Sequence, residues 1–80
     1  MQNNEDEIIN ELLALGILRH KNGQLMVSDN FYMVLDAESF MSKGNSRQKI
    51  MHTVYRFAPT VEKQRALTYV NVIEGYLLQN

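Results

Sequence analysis

Residues 17–28 read ILRHKNGQLMVS and contain the strongest local structural signal in the sequence. Asn22 and Gly23 lie between two apolar runs, at the centre of what would be a two-residue turn. Both positions of such a turn require a positive φ, which asparagine and glycine adopt at low cost. The stretch therefore predicts an antiparallel β-hairpin.

The segment before the hairpin has the pattern of an amphipathic helix over residues 4–15. Asn3 or Asn4 can cap this helix, and the acidic residues 5–7 favour the positive end of its dipole. Five apolar residues then follow at helical spacing: Ile8, Ile9, Leu12, Leu13 and Leu15. Gly16 stands where a glycine typically ends a helix, so the pattern predicts that the helix stops there.

The segment after the hairpin allows two interpretations. Residues 31–35, FYMVL, are rich in strand formers, which favours a third strand followed by a short helix over 37–43 with Asp36 as its cap. Alternatively, Ser28 or Asp29 caps one helix that runs to about Met41. The composition slightly favours the third strand, and both interpretations stay open at this point.

Two further helices follow a polar break. Ser46 is predicted to cap a helix over residues 47–58, and Pro59, the single proline, is predicted to stop it. Thr60 is then predicted to cap the last helix, at about 61–78.

The last helix carries apolar residues around well over half of its circumference. These residues are Ala66, Leu67, Tyr69, Val70, Val72, Ile73, Tyr76, Leu77 and Leu78. A helix docked on one side of a small core needs a narrower apolar stripe. Either this helix is the central helix of the fold, or its second face packs against another subunit.

Length and composition indicate a single domain over residues 1–80. The chain has 80 residues, of which 45% are hydrophobic, and no cysteine. A core of this size contributes only ~3–5 kcal/mol, so small domains often depend on disulfides, a metal or a second subunit. We expect an α+β fold, predominantly α, with an N-terminal helix, a hairpin, a candidate third strand at 31–35 and two to three C-terminal helices. Without disulfides, a homo-oligomer is one expected source of further stability.

The net charge of −1 hides a split along the chain. Residues 1–42 carry seven acidic and two basic residues, whereas residues 43–65 carry six basic residues and one acidic residue. Residues 66–80 add one acidic residue. Such a split indicates either an anion-binding surface or two halves that attract each other, within the fold or between subunits.

Residues 39–56, SFMSKGNSRQKIMHTVYR, resemble a helix-turn-helix. Gly44 lies in the turn, a polar segment opens the second helix, and Ile50 points inward. The resemblance implies a regulator that binds nucleic acid through residues 46–58, with six outward side chains that reach bases and phosphates: Arg47, Gln48, Lys49, His52, Tyr55 and Arg56. The sequence departs from the family pattern at Phe40, Asn45 and Thr53.

Residues 12–29 resemble a different part of the winged-helix regulators, namely the last helix, the wing hairpin and its exit. This resemblance implies that residues 4–15 enter the major groove. That helix is acidic, and DNA phosphates would repel it. The two resemblances therefore name different recognition helices.

Residue patterns that carry catalysis are missing from the sequence. His20 and His52 are the only histidines, and neither stands at metal-ligand spacing. The sequence contains no phosphate-binding loop and no nucleophile elbow. We therefore expect no enzyme, no cofactor and no metal site.

Targeting signals are also missing from the sequence. The apolar runs are a few residues long, against about 20 residues for a membrane span. Residues 1–7 lack the basic start followed by an apolar run that is typical of a secretion signal. The expectation is a cytoplasmic protein without membrane association.

These observations favour a small regulatory or adaptor protein that binds another protein through its C-terminal helix. Tyr69, Val72 and Tyr76 are the predicted contact residues, because tyrosine is common at such interfaces. The alternative is a nucleic-acid-binding transcriptional regulator that uses the basic helix at 46–58.

Overall fold

The computed structural model describes residues 4–41 and 44–77. The elements in chain order are α1 (Asn4–Ala14), β1 (Leu18–Lys21), β2 (Gln24–Val27), α2 (Asp29–Met41), α3 (Ser46–Phe57) and α4 (Lys63–Leu77). This order of helix, hairpin and helices is the predicted α+β, predominantly α, fold. The predicted cap Asn3, the basic Lys43 and the apolar Leu78 lie outside the described residues.

The predicted hairpin is confirmed. Asn22 and Gly23 form its turn with φ of 54° and 78°. Strands β1 and β2 pair antiparallel, with Leu18 opposite Val27 at the base. These two side chains are buried, whereas residues 19–21 of β1 are exposed. The base of the hairpin therefore belongs to the core and its tip lies in solvent.

Ser28 joins the end of α1 to the start of α2. Gly16, with a φ of 80°, ends α1 as predicted. The Ser28 hydroxyl donates a hydrogen bond of 2.7 Å to the Gly16 carbonyl and accepts one of 3.1 Å from the Phe31 amide. The Ser28 amide donates to the Ile17 carbonyl at 2.8 Å. Ser28 is thus the cap of α2 as well as the residue that closes the base of the hairpin.

The preference for a third strand at 31–35 was wrong, because these residues are helical. The cap at Ser28 starts a single helix, and this helix places Phe31 in the core with no exposed surface. The Phe31 ring lies 5.5 Å from the Phe57 ring, between centroids. Residues 37–41 of the predicted short helix at 37–43 belong to this same helix, residues 42–43 lie outside the described residues, and Asp36 lies within the helix and not at a cap.

The caps of the last two helices differ from the predicted ones. Asn45, and not Ser46, caps α3: its side chain accepts from the Gln48 amide at 2.9 Å, and the Gln48 side chain accepts from the Asn45 amide at 3.0 Å. This reciprocal pair is a capping box. Helix α4 begins at Lys63, three residues after the predicted cap Thr60.

Helix α4 occupies the centre of the fold. It packs against α3 on one side and against α1 and β2 on the other. This central position accounts for the wide apolar arc of α4. The buried hydrophobic residues of the whole core are Ile8, Leu12, Ile17, Leu18, Val27, Phe31, Ile50, Val54, Ala66, Tyr69, Val70 and Ile73.

Replacing Ser28 tests whether this residue holds the start of α2. Ser28→Ala removes the side chain's two hydrogen bonds at a buried site, so we expect the free energy of unfolding to fall by about 1–3 kcal/mol. Ser39→Ala is the matched control, because it removes a hydroxyl of α2 that is exposed and donates only to the Leu35 carbonyl. The control should change the free energy by less than about 0.5 kcal/mol. Urea denaturation measures both, and equal losses would contradict the role of Ser28.

Candidate functional site

Basic residues of the segment 43–65 form ion pairs with acidic residues of the segment 1–42 within the fold. The Arg65 guanidinium donates two hydrogen bonds to the Glu11 carboxylate and lies 3.9 Å from the Glu7 carboxylate. The Arg56 guanidinium lies 3.9 Å from the Glu38 carboxylate. Because these arginines belong to the basic segment and these glutamates to the acidic half, the two halves attract each other inside one chain.

The six residues predicted to contact nucleic acid do not form one surface. Arg47 turns toward α4, where its guanidinium hydrogen-bonds the side chains of Glu74 and Asn71. Lys49 and Tyr55 are half-buried at the flanks of α3.

The outer ridge of α3 carries the other three residues, Gln48, His52 and Arg56, which are exposed and recur every fourth position. The Gln48 side chain is engaged in the capping box of α3. Since glutamine carries no charge, the one arginine of this ridge is Arg56, with His52 one turn before it.

The three residues predicted for a protein interface on α4 also differ in exposure. Tyr69 is only 4% exposed, and its hydroxyl donates a hydrogen bond of 2.5 Å to the Glu11 carboxylate. Val72 and Tyr76 are half-buried and pack against the core. Tyr69 therefore belongs to the interior of the chain, and α4 presents no patch made of all three residues.

Glu11, Arg65 and Tyr69 form a polar cluster that joins α1 to α4. Hydrogen bonds from Arg65 and from Tyr69 hold the pKa of the Glu11 carboxyl below its ordinary value. Burial raises the pKa of the Tyr69 hydroxyl, and its hydrogen bond to Glu11 raises it further. Each of the three polar groups has a partner within the cluster, so the arrangement serves to hold the two helices together.

The clearest surface feature lies on α2. Among the α2 side chains that the structure describes, only Phe31 is fully buried. Met33 is 69% exposed, and it is the one exposed large hydrophobic side chain among those that the structure describes, which leave out Phe40 and Met41. Ala37, one turn further on, is exposed as well, and Val34 is half-buried. We call Met33, Val34 and Ala37 the α2 face.

A groove of about 380 Å³ runs along the α2 face, between α2 and α3. Met33, Val34 and Ala37 supply its apolar wall. Glu38 of α2 and Arg56 of α3 border it with one charge of each sign. An apolar centre with charged groups at its edge is the usual composition of a protein-binding surface.

Two other hollows of similar size lie elsewhere in the fold. One, of about 300 Å³, lies between α3 and α4, and its edge includes Arg47, which is already bonded to α4. The other, of about 430 Å³, lies between the end of α1 and the loop after α3, and its polar groups Glu11 and Tyr69 are bonded to each other. The groove beside the α2 face differs from both in that a large exposed hydrophobic side chain lines it.

The sequence contained one signal for the α2 face. Residues 31–35 are five consecutive apolar residues, and at about 100° per residue they pass around the whole circumference of a helix. A helix packed on one side must then expose some of them. The prediction of a strand over residues 31–35 did not indicate an exposed apolar side chain, because a strand can bury both of its faces.

Within residues 4–41 and 44–77, no three His, Asp or Glu side chains are grouped so that they could hold a metal ion. None of the described helices combines the length and the apolar character that crossing a bilayer requires. Comparison with protein families, with curated proteins and with solved structures finds no match.

The polar cluster predicts a loss of stability in acid. The pKa of Glu11 is lower in the folded chain than in the unfolded chain, so its contribution is present above the ordinary carboxyl value of 4.5 and is lost as the pH falls through the folded value. We expect the urea midpoint of the wild type to approach that of Glu11→Gln as the pH falls from about 6 to about 3.

The matched control is Glu62→Gln, which removes an exposed carboxylate near the start of α4. The gap between this control and the wild type should stay nearly constant over the same range. A gap between wild type and Glu11→Gln that does not depend on pH would contradict the role assigned to the cluster.

Proposed function

We propose that this chain is a small non-enzymatic regulatory or adaptor protein that acts by binding another protein, with the α2 face as its contact surface. The observation that carries the proposal is the exposure of Met33 on a helix whose other wall is packed against α3. Contiguous apolar surface bordered by charged residues is typical of binding sites.

The chemistry of the α2 face favours a partner that presents an apolar helix. A groove between two helices accepts the apolar side of a third helix, whose side chains enter at intervals of three or four residues. Met33 suits this use because its unbranched side chain adapts to different neighbours. Full burial of one methionine side chain is worth about 1.5–3 kcal/mol, so Met33 would supply a large part of the affinity.

The C-terminal helix supports the same function less well. Val72 and Tyr76 offer half-buried side chains, and Tyr69 offers almost no surface. Since α4 is already covered by α1 and α3 on its two sides, binding there would require a partner to reach between packed helices. We therefore place the contact on α2.

A photo-crosslinking amino acid at position 33 tests the proposal. We expect covalent adducts with a protein partner from position 33 in cells, and few or none from the same amino acid at Thr68, an exposed position of α4. Ala37→Arg should reduce the yield at position 33 at least about fivefold, because it places a charge within the same apolar face. Equal yields at both positions would contradict binding through the α2 face.

Nucleic-acid binding by α3 is the second candidate, supported by the exposed ridge of Gln48, His52 and Arg56. The ion pair of Arg47 with Glu74 reduces the free positive charge of α3, and phosphate contacts dominate affinity for DNA.

We therefore expect no mobility shift of duplex DNA at low salt. A shift that weakens steeply with added salt, is lost in Arg56→Ala and persists in Met33→Glu would favour this second candidate over protein binding.

A further inference from the structure

We propose that the partner on the α2 face is a second copy of this chain. This inference rests on the proposed function, because it names the occupant of the same surface. The two copies would form a two-fold symmetric pair in which their α2 faces meet at the groove beside α3. Met33 of each copy would then lie in the groove of the other.

Charge is the first argument for a second copy. In a two-fold dimer the same patch is present on both sides, so a patch of one sign repels itself. The groove beside the α2 face carries Glu38 on one helix and Arg56 on the other. When two such grooves meet about a two-fold axis, each Glu38 can face the Arg56 of the second copy. The patch is therefore complementary to itself.

The contact between Glu38 and Arg56 within one chain leaves room for this exchange. The Arg56 Nε atom lies 3.9 Å from Glu38 Oε1, which is longer than a hydrogen bond. The Arg56 side chain is 69% exposed. Its guanidinium can therefore donate to a carboxylate of a second copy without breaking a short bond inside its own chain.

Size is the second argument. A chain of 80 residues with no cysteine builds its stability from one small core, and a second subunit is a common way to extend such a core. Pairing two α2 faces would bring α2 and α3 of both copies together as a four-helix layer. Met33 would become buried without a change in the fold of either copy.

The area of the contact surface limits the affinity expected for the dimer. Helix α2 has 13 residues and is therefore about 20 Å long, and α2 and α3 side by side are also about 20 Å wide. Their common face is smaller than the ~800 Å² per partner that stable complexes bury. The dimer should therefore be reversible, with a dissociation constant in the micromolar range or weaker.

Sedimentation equilibrium of the full chain tests the inference. Over concentrations from about 10 μM to about 500 μM, we expect the apparent mass to rise from near 9.3 kDa toward twice that value. Met33→Glu should hold the chain near 9.3 kDa throughout. Thr68→Glu, the same kind of change on an exposed position of α4, should leave the wild-type behaviour unchanged.

A charge exchange between chains gives the sharpest test. Arg56→Glu alone and Glu38→Arg alone each make the patch single-signed, so each variant should dimerise at least about tenfold more weakly than the wild type. An equal mixture of the two variants should dimerise again. In a mixed dimer, position 38 of each chain faces position 56 of the other chain, and these two positions then carry opposite charges. Neither variant contains such a pair within its own chain, so the recovery would have to arise between chains.

Three results would overturn the inference. The first is a wild type that stays at 9.3 kDa over the whole range. The second is a dimer that Met33→Glu leaves intact, and the third is a mixture that dimerises no better than the single variants. Circular dichroism and urea unfolding establish that each variant is folded, and Ala37→Glu replaces Met33→Glu if the latter does not fold.

The proposed function fails separately from this inference. A monomeric wild type that still gives adducts from position 33 with a different protein would overturn the second copy and keep the protein-binding function. A monomeric wild type without such adducts would overturn both. Adducts between two copies of the chain, seen together with the recovery in the mixture, would support the second copy as the partner and the α2 face as the contact surface.

Discussion

The hydroxyl of Ser28 connects the glycine that ends α1 to the first turn of α2, and the placement of the hairpin and of α2 follows from this connection. It donates to the Gly16 carbonyl and accepts from the Phe31 amide, while the Ser28 amide closes the hairpin base at Ile17. A hairpin of two strands is only marginally stable alone, so it needs such a connection to the helices. Because Ser28 sets where α2 begins, it also sets which residues of α2 turn inward. Phe31 enters the core, and Met33, two positions later, faces solvent.

The central position of α4 explains why two surfaces suggested by the sequence are not free. Its side toward α1 carries Arg65 and Tyr69, which bond Glu11, and its side toward α3 carries Glu74, which bonds Arg47. The ion pairs of Arg65 and Arg47 are accessible to water and therefore contribute little to stability. Their larger consequence is for recognition, since they bind the charged groups that a nucleic acid would need.

The α2 face is what this arrangement leaves uncovered. α2 carries five consecutive apolar residues and packs mainly against one neighbour, α3, so part of its apolar surface stays in contact with water. In a small domain this cost is significant relative to a total stability of about 5–15 kcal/mol. Binding a partner would remove the cost. The groove with its apolar wall and its two opposite charges supplies a reason why that partner would meet α2 and not the outer ridge of α3.

The elements that local backbone geometry controls could be predicted from the sequence alone. The amphipathic pattern and Gly16 located α1 to within one residue, and Asn22-Gly23 located the hairpin, because the positive φ of these residues is a property of their own backbone. Whether residues 31–35 form a strand or a helix depends on tertiary contacts, because five apolar residues suit either element until a cap and a neighbour are in place. Tertiary contacts also make Tyr69 interior and leave Met33 exposed. Both side chains lie on helices with wide apolar arcs, and the part of such an arc that is covered depends on segments distant in sequence, here α1 and α3.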